Sequence, residues 1–326
     1  MGGGGARHRP QLQSRQGRVQ AVRLSAQTPF PASVRAPGYD RNVQAAGIVH
    51  IGIGAFHRAH QAVYTDDAMA AGDRDWGIVG VSLRSGDVAA QLNPQDGLYT
   101  VSMRSADGDE LRLIGAVQKV LVAADDPQAV IDAIAATTTH IVSFTVTEKG
   151  YLRRADGSLD LAAAVGVSSL YRLVAAGLAA RKAAGLGGLT LLSCDNLAGN
   201  GAVLRRLMRE YLAAYHPDLS AWFDGTCTCP ATMIDRIVPA TTDADRGAVE
   251  ATLGTRDEGA VVTEGFSQWV IEDDFAGPRP RWEKVGAELV ADVAPYETAK
   301  LRMLNGAHSA LAYIGLGRGY DYVHQA

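Results

Sequence analysis

The sequence predicts an α/β protein: a doubly wound parallel sheet followed by the start of a mostly α-helical unit. Three observations carry this. Short, unbroken apolar runs alternate with helical stretches, a glycine-rich turn joins the first clear strand to the first helix, and the pattern from Pro295 onward is helical. Continuous rather than alternating hydrophobicity marks strands buried on both faces, as in a parallel sheet covered by helices.

Taken in order, residues 47–53 form the first strand, which runs through residues 54–60 into a helix reaching about Ala71. Residues 76–82, 140–146 and 189–193 form three more strands, rich in Val, Ile and Leu. Between the last two lies an Ala/Leu-rich helix over about residues 165–184. Residues 98–122 contain short alternating segments, which predicts an antiparallel insertion. At 326 residues the chain exceeds one usual core. The expected division is a flexible basic tail over residues 1–44, a dinucleotide-binding unit over residues 45–292, and the start of a helical substrate unit over residues 293–326.

The tail holds arginines at positions 7, 9, 15, 18, 23, 35 and 41 against one acid, Asp40, and no apolar h-region follows, so it is not a secretory signal. Order is expected to begin near Pro37. Hydrophobic residues make up 47% of the chain and charged residues 20%, as in soluble globular proteins. A net charge of −4 gives no electrostatic reason to expect nucleic acid or an anionic membrane. No apolar run reaches the ~18 residues of a membrane span. Three cysteines, Cys194, Cys227 and Cys229, are a sparse, odd set that argues for a reducing, cytoplasmic setting. The Cys227-Thr-Cys229 spacing is not that of a zinc knuckle, so no metal site is expected.

Gly52-Ile-Gly54-Ala55-Phe56-His57 follows the first strand and opens the first helix. Glycines there permit a tight turn and the close approach of a pyrophosphate to the helix N-terminus, which makes the predicted sheet Rossmann-like. The usual third glycine is replaced by His57. At the end of the second strand, Asp87 is the candidate to accept hydrogen bonds from ribose hydroxyls and repel a 2′-phosphate, favouring NAD over NADP. Arg84 stands close by and would instead welcome that phosphate. The alternative for Asp87 is an ordinary helix cap.

Lys300-Leu-Arg-Met-Leu-Asn305-Gly-Ala-His308 sets three polar groups in a helical run. At about 100° per residue, Glu297, Asn305 and His308 share one arc with Lys300 and with Leu304 and Leu311, which are expected to face the core. Burial that relieves its charge is how a lysine becomes a base near neutral pH. The alternative is a surface helix with scattered polar residues. His57 and His60 read as helix-packing and capping residues, Trp269 and Trp282 as core.

Further segments complete a set in one order: His50-Ile-Gly-Ile-Gly-Ala-Phe-His-Arg-Ala-His-Gln61, Thr147-Glu-Lys-Gly-Tyr151, Ser193-Cys-Asp-Asn196, Met233-Ile-Asp-Arg-Ile-Val-Pro239, Gln268-Trp-Val-Ile-Glu-Asp273 and Arg281-Trp-Glu-Lys284. With the lysine helix, they make the chain from about residue 45 resemble the polyol-specific long-chain dehydrogenases, the family of mannitol dehydrogenases and fructuronate reductases. The resemblance implies NAD as cofactor, no metal, a small sugar acid or polyol as substrate, and a monomer. It implies Lys300 as general acid/base, Asn196 and Asn305 as amides polarising the substrate oxygen, His308 as a substrate holder and Glu297 as a proton path to solvent. Asp235 and Arg236 are expected near the substrate, with Asp235 bonding a hydroxyl; a structural ion pair is the alternative. For Asn196 the alternative is a turn residue capping the next helix.

Lys149 is the sharpest clue to substrate. Mannitol dehydrogenases of this family commonly carry glycine there, and a lysine would pair with a uronate carboxylate. The expected reaction is therefore D-fructuronate with NADH giving D-mannonate. The alternatives are mannitol 2-dehydrogenation, with Lys149 in solvent or on a cofactor phosphate, and an NAD-binding remnant without turnover. The last follows because members of the family run on well beyond Ala326 as a helical domain that closes over the substrate.

Overall fold

The computed structural model describes residues 22–105, 108–322 and 325. Eleven strands occur among them: β1 (Ala46–Ile51), β2 (Gly77–Ser82), β3 (Tyr99–Ser105), β4 (Gly108–Ile114), β5 (Val117–Val122), β6 (Ile141–Phe144), β7 (Thr190–Ser193), β8 (Thr232–Asp235), β9 (Val261–Glu264), β10 (Gln268–Glu272) and β11 (Glu288–Val290). Five of them form a parallel sheet in the order β5-β2-β1-β6-β7. The connections leave β1 in opposite directions, towards β2 on one side and β6 on the other. That reversal opens a crevice beyond the carboxyl ends of β1 and β6.

Alternate residues of β1 feed two different cores, which is why its hydrophobicity is unbroken. Val49 and Ile51 pack with Val130, Leu178, Leu204 and Phe223 from helices Pro127–Ala135, Leu170–Ala183, Asn200–Tyr215 and Pro217–Thr226. Ile48 packs on the other face with Ala62 and Met69 of helix Gln61–Ala70 and with Trp269 and Trp282. Those two tryptophans are fully buried, with ring centroids 4.6 Å apart. Cys194, Cys227 and Cys229 are buried free thiols.

The segment over residues 98–122 divides between two sheets. β3 and β4 are the antiparallel hairpin the alternation predicts, with β9 added parallel to β3. β5 returns to the main sheet, parallel to β2. A third sheet, β11-β10-β8, lies under the start of the C-terminal helical segment. Among the described residues no helix is long and apolar enough to cross a membrane.

Residues 22–44 correct the expectation of a flexible tail and of order beginning near Pro37. Leu24 is fully buried against Val34, Leu98, Leu113, Val249 and Leu253. Arg23 donates to the Gln95 side chain and to the Ala90 and Gln91 carbonyls. Arg41 donates to the carbonyls of Gly115, Asp96 and Val117, and Arg35 pairs with Asp67 at 2.8 Å. The arginines that read as a loose cationic stretch find acceptors far along the chain, which a local count of charges does not see. The arginines at positions 7, 9, 15 and 18 lie outside the described residues.

The C-terminal run also differs from its expected form. Helix Ala294–Ala299 passes into a π-helical turn over Lys300–Asn305 and then into helix Gly306–Gly317. Through a π turn each hydrogen bond spans five residues, so a phase of 100° per residue does not carry across it. Leu304 and Leu311 are each 40% exposed rather than core-facing, and Met303, Tyr313 and Leu316 are more than 70% exposed. The segment is held to the sheets through Val293 and Tyr296, packed near Met233 and Val270.

Replacing Leu24 by Ala is expected to cost about 2–5 kcal/mol, as for a well-packed core leucine, with the midpoint of urea unfolding as the measurement. A second prediction concerns pH. His50, His57 and His60 are fully buried. Burial pushes His50 and His60 down to about 3. Burial, then the neighbouring His50, His60 and Arg58, push His57 well below its usual value. The unfolded chain binds these protons near pH 6.5 and the folded chain does not. Their contribution is thus fully present above about pH 6.5 and lost as pH falls toward 3. Each imidazole steepens the loss by up to about 1.4 kcal/mol per pH unit. His60→Phe, in its setting of Phe56, Tyr64 and Trp269, is expected to flatten the slope of stability between pH 6.5 and 4.5, read by thermal unfolding.

Candidate active site

Gly52 follows β1 with φ of +97°, and a Cβ there would lie 2.1 Å from the Thr145 carbonyl oxygen. The backbone can turn here only without a side chain. The Gly52 N–H donates to the Val81 carbonyl at 2.8 Å, tying the turn to β2, and the Gly54 N–H donates back to the Gly52 carbonyl at 2.7 Å. Gly54 precedes helix Ala55–Ala59 with no side-chain cap, and a Cβ on it would meet nothing nearer than 3.8 Å. The space over the turn is therefore open, as a pyrophosphate needs.

That space is a cleft of about 460 Å³ at the reversal point of the sheet. Gly52, Gly54, Ala55 and Phe56 line it after β1, Thr145, Thr147 and Glu148 after β6, and Cys194, Asp195, Asn196 and Leu197 after β7. Asp87 and Arg84 follow β2 and are exposed, outside these walls. Asp87 is the first residue of helix Asp87–Leu92 and accepts a hydrogen bond from the Ser85 hydroxyl at 2.5 Å.

The wall after β6 is under strain. Thr147 has φ of +65°, costly for a β-branched residue by about 1–3 kcal/mol. Asp195 holds it there: its carboxylate accepts from the N–H groups of Val146 and Thr147 at 3.2 and 3.1 Å and from the Tyr151 hydroxyl at 2.9 Å. Burial raises the Asp195 pKa against the lowering effect of these donors. Asp195 was not among the sequence candidates, nor were Thr145 and Thr147. The signal that points to them is position, since all three stand at the carboxyl ends of strands the sequence did predict.

A smaller pocket of about 80 Å³ adjoins the cleft and shares Asp195, Asn196 and Leu197 with it. Lys300 reaches into it with a side chain only 13% exposed. Its Nζ lies 3.5 Å from Asn196 Oδ1 and 3.7 Å from Asp235 Oδ1, and donates to the Ile234 carbonyl. Glu297 lines the same pocket, its carboxylate accepting from the Gly199 N–H at 3.1 and 3.2 Å. Partial burial, and then Asp292, raise its pKa, while the Gly199 N–H lowers it. Glu297 also lines a broad groove of about 740 Å³ on the other side, beside Asp292 and Ala294.

The structure thus brings Lys300, Asn196, Glu297 and Asp235 together. It does not bring in the rest. Asn305 is half-buried and His308 exposed, and neither is in the walls of this pocket. Lys149 is exposed on the short helix Thr147–Gly150. Arg236, past the end of β8, is buried and donates to Thr263 Oγ1 at 2.9 Å. Asp235 pairs with Lys300 rather than with Arg236. His57 and His60 are packing residues as expected, but the His60 side chain caps no helix.

The mannitol dehydrogenase Rossmann domain family matches residues 46–284, and the mannitol dehydrogenase C-terminal domain family matches residues 292–326. The chain is 42% identical over 304 residues to a D-mannonate oxidoreductase of Escherichia coli strain K12, covering 89% of this chain and 63% of that protein. Among solved structures it is similar to a substrate-free D-sorbitol dehydrogenase, with a TM-score of 0.85, 35% identity and coverage of 90% of this chain and 64% of the other. It is similar also to a Pseudomonas fluorescens mannitol 2-dehydrogenase in a ternary complex with NAD and D-mannitol, with a TM-score of 0.84, 40% identity and coverage of 93% and 65%. The chain spans less than two thirds of the length of each of these relatives. With its glycine turn, parallel sheet and lysine pocket in one order, this chain belongs to the mannitol dehydrogenase family.

Proposed function

We propose that this chain is an NAD-dependent oxidoreductase interconverting a ketose-type sugar acid and its secondary alcohol, D-fructuronate with NADH giving D-mannonate. The observation that carries the reading is the wall of Asp195, Asn196 and Leu197 shared by the glycine-turn cleft and the Lys300 pocket. It puts an amine beside the place where a dinucleotide would end. Residues 45–292 are the cofactor unit in this reading and residues 293–326 the start of the substrate unit of a cytoplasmic monomer.

Bound NAD supplies or accepts the hydride. Gly52, Gly54, Ala55 and Phe56 cradle it, Asp87 receives its ribose hydroxyls, and Arg84 flanks them. Lys300 moves the proton at the substrate oxygen. Asn196 presents its Oδ1 to Lys300, which leaves its amide N–H groups to donate to that oxygen, with Asn305 as second donor. Donors fixed before charge develops need no reorganisation when it does. Asp235 steadies Lys300 and bonds a substrate hydroxyl, and His308 holds the substrate. Glu297, common to the pocket and the outer groove, passes the proton to solvent. Lys149 meets the uronate carboxylate. The similarity to a D-mannonate oxidoreductase supports the sugar acid; the similarity to a mannitol 2-dehydrogenase supports D-mannitol and D-fructose as the alternative pair.

A second reading, dinucleotide binding without turnover, is favoured by Asn305 and His308 standing outside the pocket walls.

NADH titration by fluorescence, followed by turnover assays with D-fructuronate and D-fructose, separates these readings. Binding with turnover of fructuronate supports the first, turnover of fructose alone the alternative pair, and binding with no turnover the second reading. Lys300→Met is expected to lower kcat by about 10²–10⁴ with NADH affinity kept. Lys149→Gly is expected to raise KM for fructuronate and not for fructose; an unchanged KM removes the carboxylate role. Because its environment raises the Glu297 pKa above the ordinary carboxylate value, Glu297→Gln is expected to remove from the pH profile of kcat the acid-side limb that this carboxyl sets.

A further inference from the structure

Behind the glycine turn runs a chain of buried side chains that the proposed chemistry does not use. His50, in β1, has its Nδ1 2.8 Å from Ser143 Oγ and its Nε2 2.8 Å from Thr145 Oγ1. Ser143 Oγ lies 2.8 Å from the Gln61 side-chain amide, and Thr145 Oγ1 lies 2.7 Å from the Gly52 carbonyl. His50, Ser143 and Gln61 are all at least 99% buried, while Gly52 and Thr145 line the cleft.

The donors in this chain can be counted. Suppose the Gln61 carbonyl oxygen faces Ser143. The Ser143 proton then goes to Gln61, and His50 must donate to Ser143 from Nδ1. Burial disfavours a charged imidazole here, so Nε2 carries no proton. Thr145 has one proton for two acceptors, His50 Nε2 and the Gly52 carbonyl. One contact of less than 3 Å would then join two acceptors. In that arrangement the Gln61 Nε2 is also buried with no partner.

Turning the Gln61 amide end for end exchanges two groups of the same shape and removes every conflict. Gln61 Nε2 donates to Ser143, Ser143 to His50 Nδ1, His50 Nε2–H to Thr145, and Thr145 to the Gly52 carbonyl. The freed Gln61 oxygen becomes an acceptor for His57, whose ring nitrogens are likewise buried and unpaired. His57 stacks on His50 at 3.4 Å and has Gln61 as a neighbour.

We propose that His50, as its Nε2–H tautomer, is a positioning residue for the dinucleotide turn. It holds the Thr145 hydroxyl on the Gly52 carbonyl and so fixes the ends of β1 and β6 against each other where the cofactor lies. The Gly52 carbonyl accepts from both Thr145 and the Gly54 N–H, so the turn's shape depends on the direction in which the Thr145 proton points. The inference rests on the reading of the cleft as the NAD site.

Two measurements on the full chain test it. Long-range proton–nitrogen correlation of the His50 ring is expected to show a protonated Nε2 and a bare Nδ1. The reverse tautomer overturns the proposal, and this readout needs no cofactor. NADH titration is the second. Thr145→Val is expected to weaken NADH binding about three- to tenfold, the scale of one hydrogen bond, with Thr145→Ser retaining the original affinity. His50→Phe is expected to weaken binding to the same degree, and the double variant His50→Phe/Thr145→Val no further, since both remove one link. Losses that multiply in the double variant, or a Thr145→Val protein that binds NADH as the original does, overturn it. If the unaltered chain binds no NADH, it is the reading of the cleft that fails, and the tautomer still decides whether His50 orders the turn.

Discussion

Everything at the site depends on the approach of Gly52 to the Thr145 carbonyl. The two backbones come so close that a single methyl group on residue 52 would lie 2.1 Å from that oxygen. Because β1 and β6 are adjacent in a parallel sheet whose connections diverge at β1, this approach closes the bottom of the crevice and leaves its top open. The hydrogen bond from the Thr145 hydroxyl to the Gly52 carbonyl and that from the Gly52 N–H to the Val81 carbonyl then hold the turn from two sides. A side chain at 52 would have to push apart the strands that carry both walls.

From that fixed point the site is built outward by one carboxylate. Asp195 keeps Thr147 in a backbone conformation that threonine avoids, and its neighbour Asn196 faces Lys300. The loop after β6, the strand end of β7 and the amine of the C-terminal segment are thus linked through Asp195 to Thr147 and Asn196 to Lys300. A change in any one is felt at the others because the interior between them is packed and does not deform smoothly. Glu297 anchors the far end by taking the Gly199 N–H at the head of helix Asn200–Tyr215.

Four of the sheet's five strands, β1, β2, β6 and β7, are readable in the sequence because they bury both faces; β5, part-exposed at the sheet edge, is not. Residues such as Ile48 and Val49 point to different cores and are apolar for different reasons, yet together they make an unbroken run. The glycine turn was readable because only glycine satisfies the φ at 52. The lysine pocket was partly readable: Lys300 and Glu297 were placed by helical phase, and both line it. Phase failed beyond Lys300, where the π turn resets it, so Leu304 and Leu311 were assigned to a core they do not reach. The packing of residues 22–44 was invisible because its partners, Gln95, Gly115, Leu253 and others, are distant in sequence.

The helix Gly306–Gly317 and the turn before it carry Met303, Ile314, Leu316 and Tyr313 in the open, each more than half exposed. Exposed apolar side chains of this kind favour association between copies of a protein. Opposing it is mutual repulsion, which for this chain rests on a formal charge of only −4. Mild acid moves that net charge towards zero, erasing the repulsion while leaving the exposed apolar side chains untouched. Colloidal behaviour should therefore worsen on the acid side before the fold itself gives way, and salt, by screening the same few charges, should act in the same direction.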